Sequence, residues 1–137
     1  MDLKSLILPE KTVTFDVPGC PGFVVDISYL SKEELQKLSK KCTRTKFDSR
    51  TRQPINEFDD ELFMKLYSAS IIKNWNGFKF KYLSEFLVVN LPDDIDPEED
   101  ELEYNEDSAY QLLKNSSIFD NWVSEIVGDL ANFTKSK

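Results

Sequence analysis

Ten of the fifteen residues from Asp93 to Asp107 are acidic and none is basic. Such a run cannot be buried without a partner for each carboxylate, so it has to lie at the surface, where it divides the chain in two. Of the 25 acidic residues, 15 lie elsewhere, against 17 basic ones. The formal net charge of −8 therefore comes from this one segment and says little about the remaining surface. At 137 residues, with ten Phe, five Tyr and two Trp, the chain is rich enough in apolar matter to fold around one core.

Before the acidic run, Val13, Phe15 and Val17 alternate as a strand does, and so do Phe23, Val25, Ile27 and Tyr29. The Pro18-Gly19-Cys20-Pro21-Gly22 stretch between them predicts a hairpin with a loop of about five residues. A two-stranded hairpin is marginal alone, so it is expected to pack on helices, with pairing of its edge to another chain as the alternative. Ser31 followed by Glu34 and flanked by Leu30 and Leu35 reads as a capping box with a hydrophobic staple, opening a helix to about Thr43. Between Lys32 and Arg52 stand eight basic and three acidic residues. CTRTKFDSRTRQP then reads as an exposed connection, more in keeping with a solvated surface than with a phosphate-binding patch.

Asp59 or Asp60 is expected to cap a helix running to about Trp75, stopped by Asn76-Gly77. FKFKYLSEFLVVNLP fits a strand through Phe78, Phe80 and Tyr82 or a short helix through Tyr82, Leu83, Phe86 and Leu87, and the helix is favoured. Past the acids, Asn105 or Ser108 starts a short helix to Lys114. Ser116 or Ser117 caps a last helix with Phe119, Trp122, Val123, Ile126, Val127, Leu130 and Phe133 on one face, either core or a surface for a partner helix. The expected fold is α+β and mainly α-helical, an N-terminal β-hairpin packed on a small bundle of about four to five helices. One domain spans 1–137, with the hairpin at 12–29, a helical part at 31–90, a solvated acidic loop at 91–107 and C-terminal helices at 108–134.

The chain contains no histidine, which removes the commonest general base and metal ligand together and excludes Ser-His-Asp and Cys-His arrangements. Gly19, Gly22, Gly77 and Gly128 fit neither a phosphate loop nor a dinucleotide fingerprint. Pro97 and the missing turn glycine break any EF-hand spacing around Asp94 and Asp96. Cys20 and Cys42 form no CxxC pair and read as two reduced thiols. No catalytic residue, cofactor site or metal site is expected. The N-terminal apolar run is too short for a signal peptide and no stretch reaches the length of a membrane span, so a soluble, cytoplasmic protein is expected.

The order and spacing of three segments resemble the tail assembly chaperones of long-tailed, siphophage-type bacteriophages. The segments are PGCPGFVVDISYLSKEELQKLSKKCTRTKFDSRTRQP, DDELFMKLYSASIIKNWNGF and KNSSIFDNWVSEIVGDLANFTKSK. The chain departs from the family pattern around Trp75, with Asn74 in place of a small residue and Phe78 in place of leucine. The resemblance implies a non-enzymatic protein that binds the phage tape measure protein, keeps it soluble and helps recruit tail tube subunits. It also implies a place in the cytoplasm of the infected host rather than in the mature virion. Self-association is left open, and neither nucleic acid nor membrane is an expected partner. Members are often made in two lengths by a programmed frameshift. Partner-binding candidates on this reading are Trp75, Phe78, Phe80, Tyr82, Phe86, Trp122, Ile126 and Phe133. The rival reading is an acidic phage inhibitor that mimics nucleic-acid charge and binds a host enzyme; a metal-dependent nuclease is weaker still.

Overall fold

Alternation of apolar residues makes Glu10–Asp16 (β1) and Val24–Leu30 (β2) an antiparallel hairpin, with Val13 opposite Ile27 and Phe15 opposite Val25. This computed structural model describes residues 1–134; the last three positions of the third resembling segment lie outside the described residues. The Val17 N–H donates to the Phe23 carbonyl (3.0 Å), which closes the expected five-residue loop. Ahead of β1, the one-turn helix Leu3–Leu6 (α1) buries none of its residues.

The hairpin does not stand alone. Its β2 edge pairs antiparallel with Ile72–Asn76 (β5), giving the order β1-β2-β5, with a bulge between Asp26 and Ile27. The helix expected to reach Trp75 therefore stops earlier, as Asp60–Ile71 (α3). β-Branched Ile72 and aromatic Trp75 suit a pleated surface, and an unpaired edge of β2 lies beside them. A second sheet joins Thr43–Phe47 (β3) to Pro54–Phe58 (β4), with Thr43 opposite Phe58 and Phe47 opposite Pro54. Residues 43–58 are thus exposed, as expected, but paired rather than an irregular connection.

Those pairings overturn the expectation of a mainly helical chain carrying one hairpin. The fold is mixed α/β, with two sheets and six α-helices among the described residues. Helix starts follow the local chemistry. Ser31 Oγ accepts from the Glu34 N–H (3.3 Å) at Lys32–Lys41 (α2), although the Ser31 N–H donates to the Pro9 carbonyl instead of completing a capping box. Asp59 caps α3 by accepting from the Leu62 N–H (3.0 Å). Asn105 caps Glu106–Asn115 (α4), and Ser116 caps Ser117–Gly128 (α5).

One further expectation is met in part and another needs correction. The favoured short helix lies at Phe80–Glu85 and is a 3-10 helix; the Phe80 and Lys81 N–H groups at its start donate to the carbonyls of Asp100 and Pro97, and the Leu87 N–H beyond its end donates to the Leu83 carbonyl. The last helix is broken after Gly128, and Ala131–Thr134 (α6) is a separate turn. Asp129 accepts from the Ala131 N–H (3.1 Å) and Asn132 donates to the Ile126 carbonyl (3.1 Å), side-chain bonds that compete with the helical ladder. Leu130 turns out to solvent as a result, and Trp122 is only half-buried.

The core centres on Phe23. Its ring is fully buried, stacks on Phe78 (centroids 4.1 Å apart) and meets Trp75 and Phe86 edge-on. Phe86 continues the contact to Phe119 of α5 (5.7 Å). Gly77, at φ +73°, lies so close to Gly22 that a Cβ would strike the Gly22 carbonyl oxygen.

Gly77→Ala combines that backbone collision with a left-handed φ, so a loss of about 2–5 kcal/mol is expected. Gly19→Ala, at φ +80° but facing open space, should cost only about 1–2 kcal/mol. Urea unfolding midpoints measure both. By the same assay Phe119→Ala should cost about 3–5 kcal/mol and Trp122→Ala clearly less, since only Phe119 is fully enclosed.

Candidate functional site

Beyond the 3-10 helix the chain runs through Phe86-Leu87-Val88-Val89 without regular structure. Four consecutive apolar residues cannot all face one core from a single turn, and these divide. Phe86 and Leu87 pack inward, whereas Val88 is fully exposed and Val89 is 40% exposed. Ile118, in the first turn of α5, is 60% exposed beside them. With Asn115 and Ser117 these residues line an open depression of about 650 Å³. Its floor is not free to move, because the Leu87 N–H donates to the Leu83 carbonyl (2.8 Å) and Phe86 is wedged against Phe78 and Phe119.

The acidic run follows directly, and it is held rather than loose. Lys79 and Glu101 form an antiparallel bridge, flanked by the Phe80 N–H donating to the Asp100 carbonyl (3.1 Å) and the Leu102 N–H to the Phe78 carbonyl (2.8 Å). The Trp75 indole N–H donates to the Leu102 carbonyl (2.9 Å), and the Tyr104 hydroxyl to the Ile72 carbonyl (2.6 Å). Burial, and then the Glu106 carboxylate, push the Tyr104 phenol above its ordinary range, so it stays a donor at neutral pH. Asp96 and Asp100 turn their own carboxylates onto the N–H groups of Glu98 and Asp96. Among the described residues no carboxylate from Asp93 to Asp107 is in an ion pair.

Burial, with Glu85 adding to it, raises the Cys20 thiol and keeps it protonated. Burial, then Asp120, likewise raises the Tyr67 phenol. Among the described residues no group of three or more Cys, Asp or Glu is placed to hold a metal ion. No helix among them is long and apolar enough to cross a membrane.

The eight residues singled out by sequence fall into different places. Trp75, Phe78, Tyr82, Ile126 and Phe133 are buried, and Phe80, Phe86 and Trp122 are half-buried. Trp75, Phe78, Tyr82 and Phe86 meet in the cluster around Phe23, and the Tyr82 hydroxyl donates to the Pro21 carbonyl (2.6 Å). Trp122 meets Phe119 (ring centroids 5.8 Å apart), and Phe133 meets Phe15 and Tyr29. Of the eight, Phe86 alone lines the depression. Val88, Val89 and Ile118 were missed; the length of the apolar run at 86–89 is a signal for the two valines, and the sequence offers none for Ile118.

These features, a small mixed domain with an exposed apolar surface and no metal cluster among its described residues, meet a phage origin in the comparison with known families. Residues 29–137 match the family described as YdaY prophage protein, and the chain belongs to that family. No curated protein and no solved structure matches it.

If the acidic segment is fastened as described, Tyr104→Phe should cost about 1–2 kcal/mol through the unpaired Ile72 carbonyl. It should also speed amide hydrogen exchange at Leu102, whereas Asp94→Asn should change neither quantity.

Proposed function

We propose that the chain is a non-enzymatic tail assembly chaperone that binds the tape measure protein, keeps it soluble and helps recruit tail tube subunits. The observation that carries this reading is the exposed apolar surface of Val88, Val89 and Ile118, followed along the chain by ten carboxylates of which none, among the described residues, is in an ion pair. An amphipathic helix can lay its apolar face on such a surface, while the adjacent charge keeps crowded copies from precipitating. The chain-long order of segments like those of tail assembly chaperones supports the same reading, and membership of a prophage protein family supplies the phage setting. A shallow, open depression suits affinity low enough for tube subunits to displace the chaperone. A helix rises about 1.5 Å per residue, so a tape measure protein of several hundred residues needs many copies of so small a domain. The place of action is then the cytoplasm of the infected host, and the chain leaves before the virion is complete.

A second reading is favoured by one observation. The acidic segment is fastened by backbone hydrogen bonds, as a mimic of nucleic-acid charge requires if it is to present carboxylates to a host enzyme.

Co-expression with the tape measure protein of the same phage separates the two. The chaperone reading expects a soluble complex with several copies of this chain, resolved by size exclusion with light scattering and stable in moderate salt. Val88→Asp with Ile118→Asp should keep the circular dichroism of the parent, both side chains being exposed, and abolish the complex. A tape measure protein that stays insoluble beside free chain counts against the reading. A basic host enzyme captured at low salt and released as salt rises supports the charge mimic instead.

A further inference from the structure

Ahead of β1 the chain presents apolar side chains that nothing covers. Leu3, Leu6, Ile7 and Leu8 are between 56% and 70% exposed, and α1 is a single turn. A helix of one turn has no stability of its own. Here Asp2 accepts from the Lys4 N–H (3.3 Å) and the Ser5 hydroxyl (2.7 Å), and among the described residues 1–8 hydrogen-bond only to one another. The body first takes hold at Pro9, whose carbonyl accepts from the Ser31 N–H (3.0 Å).

That anchor stands at the lip of a pocket. Leu30 and Lys32, the residues on either side of Ser31, both line an open pocket of about 320 Å³. Leu35 of α2, Tyr67 of α3, and Val127 and Leu130 at the break after α5 also line it. Leu130 is 54% exposed there. An apolar cavity of roughly 150 Å³ already holds a benzene-sized group, so this pocket has room for more than one aliphatic side chain. A neighbouring hollow along α2 is edged by Glu10, Glu34 and Lys37 and suits such side chains less well.

We propose that residues 6–8 form a strap that closes over this pocket and seats its apolar side chains there. Proline fixes its own φ and confines the residue before it to extended backbone, so Pro9 and Leu8 leave few torsions to be ordered. Tethered at the lip, the strap meets the pocket at an effective concentration on the order of mM, and closure brings no second copy's charge with it. Its own charges, Asp2 and Lys4, are of opposite sign. Closure takes apolar surface out of water on both sides, on the strap and on Leu130. An aliphatic side chain from a partner then reaches the pocket only by displacing the strap. The pocket is separate from the depression at Val88 and Ile118, so closure stands or falls independently of the chaperone reading.

Methyl nuclear Overhauser spectra of the full chain test it. Methyl groups of Leu6, Ile7 or Leu8 should give cross-peaks to the Val127 and Leu130 methyls and to the Tyr67 ring, and that ring should shift them upfield. A second chain carries Leu6→Ser, Ile7→Ser and Leu8→Ser, positions exposed in the open form, so circular dichroism should show the parent fold. In it the Val127 and Leu130 methyl resonances should move, while those of Val25, buried in the sheet, stay in place. Methyls of residues 6–8 that give no cross-peak to the pocket overturn the proposal. So does a folded variant in which the Val127 and Leu130 resonances do not move. Cross-peaks that fade on dilution place the strap on a second copy and overturn it as well.

Discussion

Two glycines set how closely the chain entering β2 and the chain leaving β5 approach. Gly22 ends the hairpin loop and Gly77 follows β5, and their backbones touch with no room for a side chain between them. That approach lets Phe23 and Phe78, each the next residue along, stack at 4.1 Å. Everything else is built outward from the stacked pair. Trp75 of β5 closes one side, Tyr82 of the 3-10 helix another, and Phe86 passes the contact to Phe119 of α5. A backbone contact of this kind cannot yield by rotating a side chain, so it fixes the depth at which the aromatic rings meet.

Where the determinant of structure is local, the sequence came close. Ser31 was singled out as a cap, and Asp59, Asn105 and Ser116 were each one of two candidates; all four cap a helix because a short oxygen-bearing side chain satisfies an N–H three residues on, a matter settled within one turn. The first hairpin was legible for a similar reason: its strands alternate and its loop carries two glycines at positive φ. Strand β5 was not, since Ile72 to Asn76 becomes a strand only by meeting the open edge of β2, more than forty residues earlier in the chain. The β3–β4 ribbon was hidden differently. With every residue exposed it shows no alternation of apolar and polar positions, which is the signal by which a strand is recognised. All the candidate contacts but Ile126 are aromatic, and large apolar side chains select for the interior, which is where Trp75, Phe78, Tyr82 and Ile126 lie. Aliphatic Val88 and Ile118 stand outside it, and nothing in their identity alone says so.

Apolar and acidic surfaces meet at one place in the chain, Val88 and Val89 leading through Pro92 into Asp93. A helix rich in aliphatic residues would gain from the first and a basic flank from the second, so the two together distinguish partners that either alone would accept. The prophage family fixes the setting in which such a surface is made. The β3–β4 ribbon lies apart from it, joining α2 to α3 and lining no part of the apolar depression.

The three-stranded sheet has two edges, and the hydrogen bonds of the acidic segment have a consequence for one of them. Strand β5 is an edge strand, and the segment runs beside it, its Tyr104 hydroxyl on the Ile72 carbonyl and its Leu102 carbonyl on the Trp75 indole. Strand β1, the opposite edge, instead carries exposed Glu10, Lys11 and Asp16. Bare strand edges template the addition of further strands, and both covering and charging are ways to prevent it. The acidic segment thus covers part of one strand edge besides lending it charge, and a substitute with equal charge but without these hydrogen bonds would supply only the second.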